Sequence, residues 1–136
     1  MTKVAVVGTT SWGTTLAIIL SREGARVRLW ARTEEEAQKV NQERENSALL
    51  PGILFPQGLV VTSSVEEMLA DAALLILVVP STSMRQNLQA VRKQLGEATL
   101  ILSATKGLEA ESARRMSQVI KEELEPRFHP DICVLS

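Results

Sequence analysis

The chain has 136 residues, of which 45% are hydrophobic and 23% charged, and its formal net charge at pH 7 is −1. This length and composition predict one globular domain of the soluble class with a proper hydrophobic core. The low net charge argues against a general attraction to nucleic acid or to an anionic membrane, and no apolar run approaches the ~20 residues of a membrane-spanning helix.

The first turn of the chain is its most informative stretch. The apolar run 3–7 leads into Gly8-Thr9-Thr10-Ser11-Trp12-Gly13, and an apolar segment with helical spacing follows. This pattern predicts a buried parallel strand, a tight turn and a helix start. Unpaired backbone N–H groups and the positive end of the helix dipole favour a bound phosphate there. Gly8 and Gly13 fill the first and third places of the dinucleotide fingerprint G-x-G-x-x-G.

Thr10 occupies the second place of that fingerprint, where glycine normally lets the backbone approach the pyrophosphate. Its side chain could displace the cofactor outward, or its hydroxyl could donate to a phosphate oxygen, and the sequence leaves both open. A further alternative is that the two glycines serve backbone geometry alone. The degenerate motif is therefore weak by itself, and the rest of the chain must support it.

Strands and helices alternate along the remainder of the chain. Gly24 is typical of a helix end, and capping boxes at Thr33–Glu36 and Ser64–Glu67 predict two helix starts. Residues 46–58 contain two prolines and two glycines and are predicted to form a loop. Further strands are predicted at 26–30, 59–62, 73–79, 99–103 and 132–135, and further helices over the apolar stripes 84–95 and 110–124.

Six strands alternating with helices predict an α/β fold, a doubly wound (Rossmann) and mostly parallel sheet with helices on both faces. Right-handed crossovers favour the strand order 3-2-1-4-5-6. Ligands of such sheets bind at the carboxyl ends of the strands, beside strand one. Those ends are predicted at residues 8–12, 31–32, 80–81 and 104–107, so Pro80 joins the turn residues as a candidate contact.

Arg32 follows the second strand, where an NAD-preferring site usually has Asp or Glu. A guanidinium suits the 2′-phosphate of NADP(H) and can stack on adenine. We therefore expect NADP(H) to be preferred, with NAD(H) as a second cofactor. The alternative is that Arg32 is a solvated residue paired with the glutamates at positions 34–36.

Lys106 follows the fifth strand in the segment Ala104-Thr105-Lys106-Gly107. An ammonium at this edge could bind a substrate phosphate, the nicotinamide ribose, or both. The alternative is an exposed loop lysine, which is the usual situation for this residue type.

The chain has one cysteine, Cys133, and one histidine, His129. Cys133 lies in an apolar run, which predicts a buried and unreactive thiol, and His129 is predicted to lie in a loop. We expect no metal site from this composition.

Several segments together resemble the N-terminal NAD(P)-binding domain of bacterial NAD(P)-dependent sn-glycerol-3-phosphate dehydrogenase. The resemblance covers essentially the whole chain, and the Ser-Trp-Gly-Thr and Thr-Lys-Gly-Leu-Glu segments are its most specific parts. The matching segments are Val7-Gly8, Ser11-Trp12-Gly13-Thr14, Leu16-Ala17, Leu29-Trp30-Ala31-Arg32, Glu45-Asn46, Leu50-Pro51-Gly52, Val78-Val79-Pro80-Ser81 and Ala104-Thr105-Lys106-Gly107-Leu108-Glu109.

The resemblance implies hydride transfer between NAD(P)H and dihydroxyacetone phosphate, which gives glycerol 3-phosphate for phospholipid synthesis in the cytoplasm. It implies that Ser11, Trp12 and Arg32 contact NADP(H), and that Lys106 contacts both cofactor and substrate. Thr10 and Thr15 depart from the family's usual glycine and alanine. These departures bear on cofactor affinity and pose more than on family membership.

The resemblance also implies that residues 1–136 form only the dinucleotide-binding domain. The catalytic residue for proton transfer is expected in a C-terminal helical domain absent from this chain, so we expect no catalytic residue here and no turnover by the chain alone. Loss of that domain would leave an apolar patch that favours self-association, a homodimer included. Two alternatives are the cofactor domain of another two-domain dehydrogenase, and a stand-alone, non-catalytic NAD(P)-binding module.

Overall fold

The computed structural model describes residues 1–135, and Ser136, the last residue of the predicted domain, lies outside them. The described residues form one six-stranded sheet with the order β3-β2-β1-β4-β5-β6, in which every pair is parallel. The predicted doubly wound topology is therefore confirmed, although the last three strands are shorter than predicted. The strands are β1 Lys3–Val7, β2 Arg26–Trp30, β3 Leu59–Thr62, β4 Leu74–Leu77, β5 Leu100–Ser103 and β6 Ile132–Val134.

Three of the five α-helices within residues 1–135 begin at a hydroxyl cap. The side chains of Thr10, Thr33 and Ser64 each accept a hydrogen bond from the backbone N–H three residues later. Across the described residues, no helix combines the length and apolar character needed to cross a bilayer. The helices are α1 Ser11–Arg22, α2 Glu34–Glu43, α3 Val65–Leu69, α4 Met84–Val91 and α5 Met116–Glu123, with 3-10 turns at Ser81–Ser83, Arg92–Gln94 and Pro126–Asp131.

The central strand β1 is buried on both faces of the sheet. Val4 and Val6 pack into the apolar cluster that includes α1 and α2. Ala5 and Val7 belong to the opposite cluster, which includes α3, α4 and α5. Two separate cores therefore hold β1 from both sides, and this fixes the position of the turn that follows it.

The helix α5 begins later than the sequence predicts. The stripe was expected to start at Ala110, but the helix starts at Met116. Ala113 has a positive φ of 56°, which no right-handed helix permits, and Leu108 pairs with Arg115 in an antiparallel bridge. Residues 108–115 therefore form a hairpin-like excursion ahead of the helix.

Cys133 is exposed, so the prediction of a buried thiol is wrong. The strand β6 lies at the edge of the sheet and is three residues long. An apolar run on an edge strand lacks the second neighbouring strand that a central strand has, which leaves part of the run exposed.

His129 lies in a 3-10 turn, and its Nε2 is 2.8 Å from the carbonyl oxygen of Lys121 near the end of α5.

Candidate functional site

The turn between β1 and α1 is packed too closely for any residue but glycine at two positions. Gly8 has a φ of 131°, and a Cβ on it would lie 1.9 Å from the carbonyl oxygen of Val78. A Cβ on Gly13 would lie 2.2 Å from the carbonyl oxygen of Gly8. The turn therefore lies directly against the chain that follows β4, and the start of α1 lies directly against the turn. The positive φ of Gly8 fits the tight turn that the dinucleotide fingerprint assigns to its first glycine, and Gly13 fits the close packing of the helix that it assigns to its third.

Thr10 fits this turn by using its hydroxyl within the protein. Its Oγ1 accepts a hydrogen bond from the N–H of Gly13 at 3.1 Å and donates to the carbonyl oxygen of Val78 at 3.3 Å. The threonine therefore acts as the N-cap of α1 and ties the turn to the chain after β4. In this arrangement the hydroxyl proton is directed at a carbonyl, so it is not available to a phosphate oxygen.

Ser11 and Trp12 are the first two residues of α1, and both are exposed. The Ser11 hydroxyl donates to the carbonyl oxygen of Leu49 at 3.0 Å, which joins the helix start to the loop after α2. The backbone N–H groups of a helix's first turn have no partner within the helix. They form the part of this turn best suited to an anion.

A cleft of about 140 Å³ opens beside the turn, at the carboxyl ends of β1, β2 and β4. Four of the predicted site residues line it, namely Gly8, Thr10, Arg32 and Pro80. Gly13, Ser11 and Trp12 lie on the adjoining helix start. The other lining residues are Thr9, Trp30, Val79 and Asn87.

Arg32 is exposed at the mouth of this cleft. It takes part in no ion pair within residues 1–135, and two of the three glutamates that could compete for it bind other groups. Glu34 accepts hydrogen bonds from Gln38 and Ser63, and Glu36 accepts one from Thr9 at 3.1 Å. The guanidinium is therefore available to an anionic ligand in the cleft.

Lys106 lies outside the cleft lining, on the loop that follows β5. Its side chain is exposed, and none of the ion pairs among residues 1–135 includes it. Gly107, with a φ of 96°, turns the backbone so that its Cβ position is 3.7 Å from the Ser81 hydroxyl oxygen. The loop after β5 thus lies against the 3-10 turn that follows β4, on the same edge of the sheet.

Two polar residues that hold the site were not predicted as site residues. Asn46 is buried and donates through Nδ2 to the carbonyl oxygen of Thr9 and to the hydroxyl of Thr14, both at 3.0 Å. Thr105 donates to the carbonyl oxygen of Leu77 and accepts from the N–H of Val79, both at 3.1 Å. Both residues stand in the segments of the family resemblance, and that was the only signal for them in the sequence.

Asn87 is a third residue that the sequence analysis missed. It lies on α4, is 4% exposed and lines the cleft, and its Nδ2 donates to the carbonyl oxygen of Ser83 at 2.8 Å. Its signal in the sequence was a polar residue among the otherwise apolar positions 84, 88 and 91 of the predicted helical stripe.

The strongest electrostatic interaction near the site is the ion pair between Arg85 and Glu109, which lies beside Lys106 rather than in the cleft. The Arg85 guanidinium, aided by the Ser112 hydroxyl, lowers the pKa of Glu109 to about 2. Within residues 1–135, no three His, Cys, Asp or Glu side chains are grouped so as to hold a metal ion. The described part of the site therefore offers backbone N–H groups, two exposed cations and buried amides, which are groups that bind an anionic dinucleotide.

The strand order, the glycine turn beside β1 and the adjoining cleft define a dinucleotide-binding domain of the Rossmann class. Residues 3–136 match the family described as NAD-dependent glycerol-3-phosphate dehydrogenase N-terminus. The chain belongs to this family, and the resemblance seen in the sequence is confirmed.

Individual relatives agree with this assignment. The chain is 47% identical over 137 residues to glycerol-3-phosphate dehydrogenase (NAD(P)+) from Dehalococcoides mccartyi, and the match covers 100% of this chain and 38% of the relative. The enzyme of the same name from Bacillus thuringiensis is 42% identical over 136 residues, with 100% and 40% covered. The crystal structure of glycerol-3-phosphate dehydrogenase from Coxiella burnetii superposes with a TM-score of 0.84 at 31% identity, over 90% of this chain and 38% of that one. The chain thus spans about two fifths of the length of these relatives.

Proposed function

We propose that this chain is the cofactor-binding half of an oxidoreductase that interconverts dihydroxyacetone phosphate and sn-glycerol 3-phosphate. The family match supports the reaction, and the open helix start beside a cleft lined by Gly8, Thr10 and Arg32 supports the cofactor. The pyrophosphate lies at the start of α1, on the N–H groups of Ser11 and Trp12. The adenosine half lies in the cleft, between Arg32 and Pro80.

NADP(H) is the preferred cofactor in this proposal. Arg32 is exposed at the cleft, and Glu34 and Glu36 bind other groups, so its fork of donors can bind a 2′-phosphate. NAD(H) lacks that phosphate and binds through the remaining contacts. The names of the relatives include both cofactors, which is consistent with a preference rather than an exclusive choice.

Lys106 contacts both the nicotinamide end of the cofactor and the substrate phosphate. Its loop lies on the same edge of the sheet as the turn after β1, and its ammonium is exposed. A compact cation with three donors can bind the substrate phosphate and also donate to a neighbouring ribose hydroxyl. The ketone also needs a proton at its oxygen, because the cofactor supplies only hydride.

The residue that moves this proton belongs to a helical substrate domain outside residues 1–136. The chain's share of its relatives, 38–40%, leaves room for such a domain. The chain alone therefore binds cofactor and does not turn over. The proposed location is the cytoplasm, and it is supported by the charge of both ligands, which do not cross a bilayer unaided. Exposed apolar side chains after the strand ends, such as Trp12 and Leu108, favour association with that domain or with a second copy.

Calorimetric titration of the chain with NADPH and, separately, NADH tests the proposal. We expect both to bind, NADPH more tightly, and no oxidation of NADPH when dihydroxyacetone phosphate is added. Arg32→Ala should lose the preference for NADPH. Arg26→Ala is its matched control, since Arg26 is an exposed cation at the opposite end of β2 and should not affect either cofactor. Binding of neither cofactor, by the chain or by its Thr10→Gly variant, would contradict the cofactor role. Turnover by the chain alone would contradict the proposed division between two domains.

A further inference from the structure

Arg85, the second residue of α4, lies at the centre of a network of three carboxylates. It holds Glu109 through two parallel contacts, Nε to Oε2 and Nη2 to Oε1, the latter at 2.9 Å. It also pairs with Glu122 and, through Nη1 at 3.1 Å, with Glu123, both on α5. One guanidinium therefore links α4, α5 and the loop after β5, and the fork-shaped pair with Glu109 fixes direction as well as distance.

Glu109 in turn organises the excursion that precedes α5. Its N–H donates to the carbonyl oxygen of Arg114 at 2.9 Å, and its carbonyl oxygen accepts from the N–H of Ala113 at 2.8 Å. Its carboxylate also accepts from the Ser112 hydroxyl at 2.6 Å. The position of Glu109 is therefore set by the backbone of the excursion and by the guanidinium of Arg85.

Lys106 lies between two fixed points of this loop. Thr105, on one side, is hydrogen-bonded to Leu77 and Val79 in the extension of β4. Glu109, on the other side, is held by Arg85. Since the Lys106 side chain itself is exposed, its location depends on these two anchors.

We propose that Arg85 is a positioning residue for Lys106. By holding Glu109 it fixes the loop, and it also keeps that carboxylate away from the Lys106 ammonium, which stays free for an anionic ligand. This inference rests on the proposed function, in which Lys106 contacts the nicotinamide end of the cofactor. It adds that the ion pair between Arg85 and Glu109, which lies outside the cleft, determines how strongly Lys106 contributes to NADPH binding.

The test uses the 136-residue chain and two ligands. NADPH extends from Arg32 to Lys106, whereas adenosine 2′,5′-bisphosphate occupies only the Arg32 end. We expect Arg85→Met to raise the Kd of NADPH by about three- to thirtyfold, the range of positional coupling, and to leave the Kd of the bisphosphate unchanged. Arg92→Met is the matched control, because Arg92 pairs with Glu123 alone and does not reach the loop.

A double-mutant cycle with Lys106→Met completes the experiment. If Arg85 acts through Lys106, the loss in Arg85→Met should largely disappear when Lys106 is already methionine. Arg85→Lys keeps the positive charge but loses the two parallel contacts with Glu109, so it should raise the Kd of NADPH less than Arg85→Met does. This variant carries the test if Arg85→Met does not fold, as judged by circular dichroism.

Three results would overturn the inference: unchanged NADPH affinity in Arg85→Met, equal losses for both ligands, or additive losses in the cycle. Failure of the proposed function gives a different pattern. In that case Lys106→Met alone would leave NADPH binding unchanged, which would remove the ligand role of Lys106 and this inference with it.

Discussion

Replacing Thr10 with glycine should weaken the fold and strengthen cofactor binding. The Thr10 hydroxyl makes two hydrogen bonds, from the Gly13 N–H and to the Val78 carbonyl oxygen. Glycine is itself an acceptable N-cap and loses only a few tenths of a kcal/mol there, while the lost bond to Val78 and the added backbone freedom each remove about 0.5–1 kcal/mol. We expect the free energy of unfolding to fall by about 1–2 kcal/mol.

The effect on affinity has the opposite sign. Without the threonine, the N–H of Gly13 is freed from its cap and the backbone of the turn is open to the pyrophosphate. One additional hydrogen bond to a charged ligand, about 1.5–3 kcal/mol, should lower the Kd of NADPH by about ten- to a hundredfold. The Kd of NADH should fall by the same factor, because the pyrophosphate is common to both cofactors.

Urea unfolding and calorimetric titration measure the two effects on the same protein. Ser64→Gly serves as the control, since Ser64 caps α3 with a 3.1 Å bond to the Glu67 N–H and lies outside the cleft. It should lose stability without any change in Kd. Weaker NADPH binding in Thr10→Gly would refute the reasoning, because it would mean that the hydroxyl leaves Val78 and donates to the phosphate.

Three further predictions concern other parts of the molecule. Arg32→Ala should weaken NADPH binding by ~1.5–3 kcal/mol and leave NADH nearly unchanged in the same titrations, and equal losses would show that Arg32 does not bind the 2′-phosphate. Ser103→Ala should raise the urea-unfolding free energy by about 1 kcal/mol, because its fully buried hydroxyl has no hydrogen-bond partner among residues 1–135; a decrease would contradict this. The Arg85 guanidinium lowers the pKa of Glu109 from 4.5 to about 2, so the unfolded chain takes up this proton first as pH falls. Stability from the ion pair should therefore be complete above about pH 4.5 and lost towards pH 2, and Glu109→Gln should flatten the unfolding free energy over that range, whereas an unchanged slope would contradict the assignment.

The sheet could be predicted because its central strands are buried on both faces. In β4, the residues from Leu75 to Leu77 are almost fully buried, and such strands appear in a sequence as continuous apolar runs. The handedness of crossover connections then left few strand orders to consider. Local pattern and general topology together were sufficient for the fold.

The late start of α5 could not be predicted in this way. Ala110 and Ala113 continue the apolar spacing of the helix, yet both precede it. The backbone there follows the contact between Arg85 and Glu109, which are 24 residues apart. Local periodicity contains no information about a partner at that distance, so tertiary contacts overrode it.

The edge of the sheet that holds the candidate site was predictable, but the contacts that shape it were not. Gly8, Arg32 and Pro80 follow strand ends, and the topology brings them to one cleft. Asn46 and Thr105 reach their partners across 37 and 28 residues, and no local signal marks them as structural. Sequence reasoning therefore found the residues that line the cleft more readily than those that hold them in place.

These bracing contacts determine how the turn after β1 meets a ligand. Asn46 holds the carbonyl of Thr9, Thr105 holds the chain at Val79, and Thr10 ties the turn to Val78. A turn fixed before binding loses little further freedom when the cofactor arrives, which favours affinity. The Thr10 hydroxyl also accepts a hydrogen bond from the Gly13 N–H, which would otherwise be able to donate to a phosphate, and this disfavours affinity. Thr10 therefore exchanges part of the anion site for rigidity of the turn, and Asn46 and Thr105 are the contacts that would keep the turn in place once position 10 is glycine.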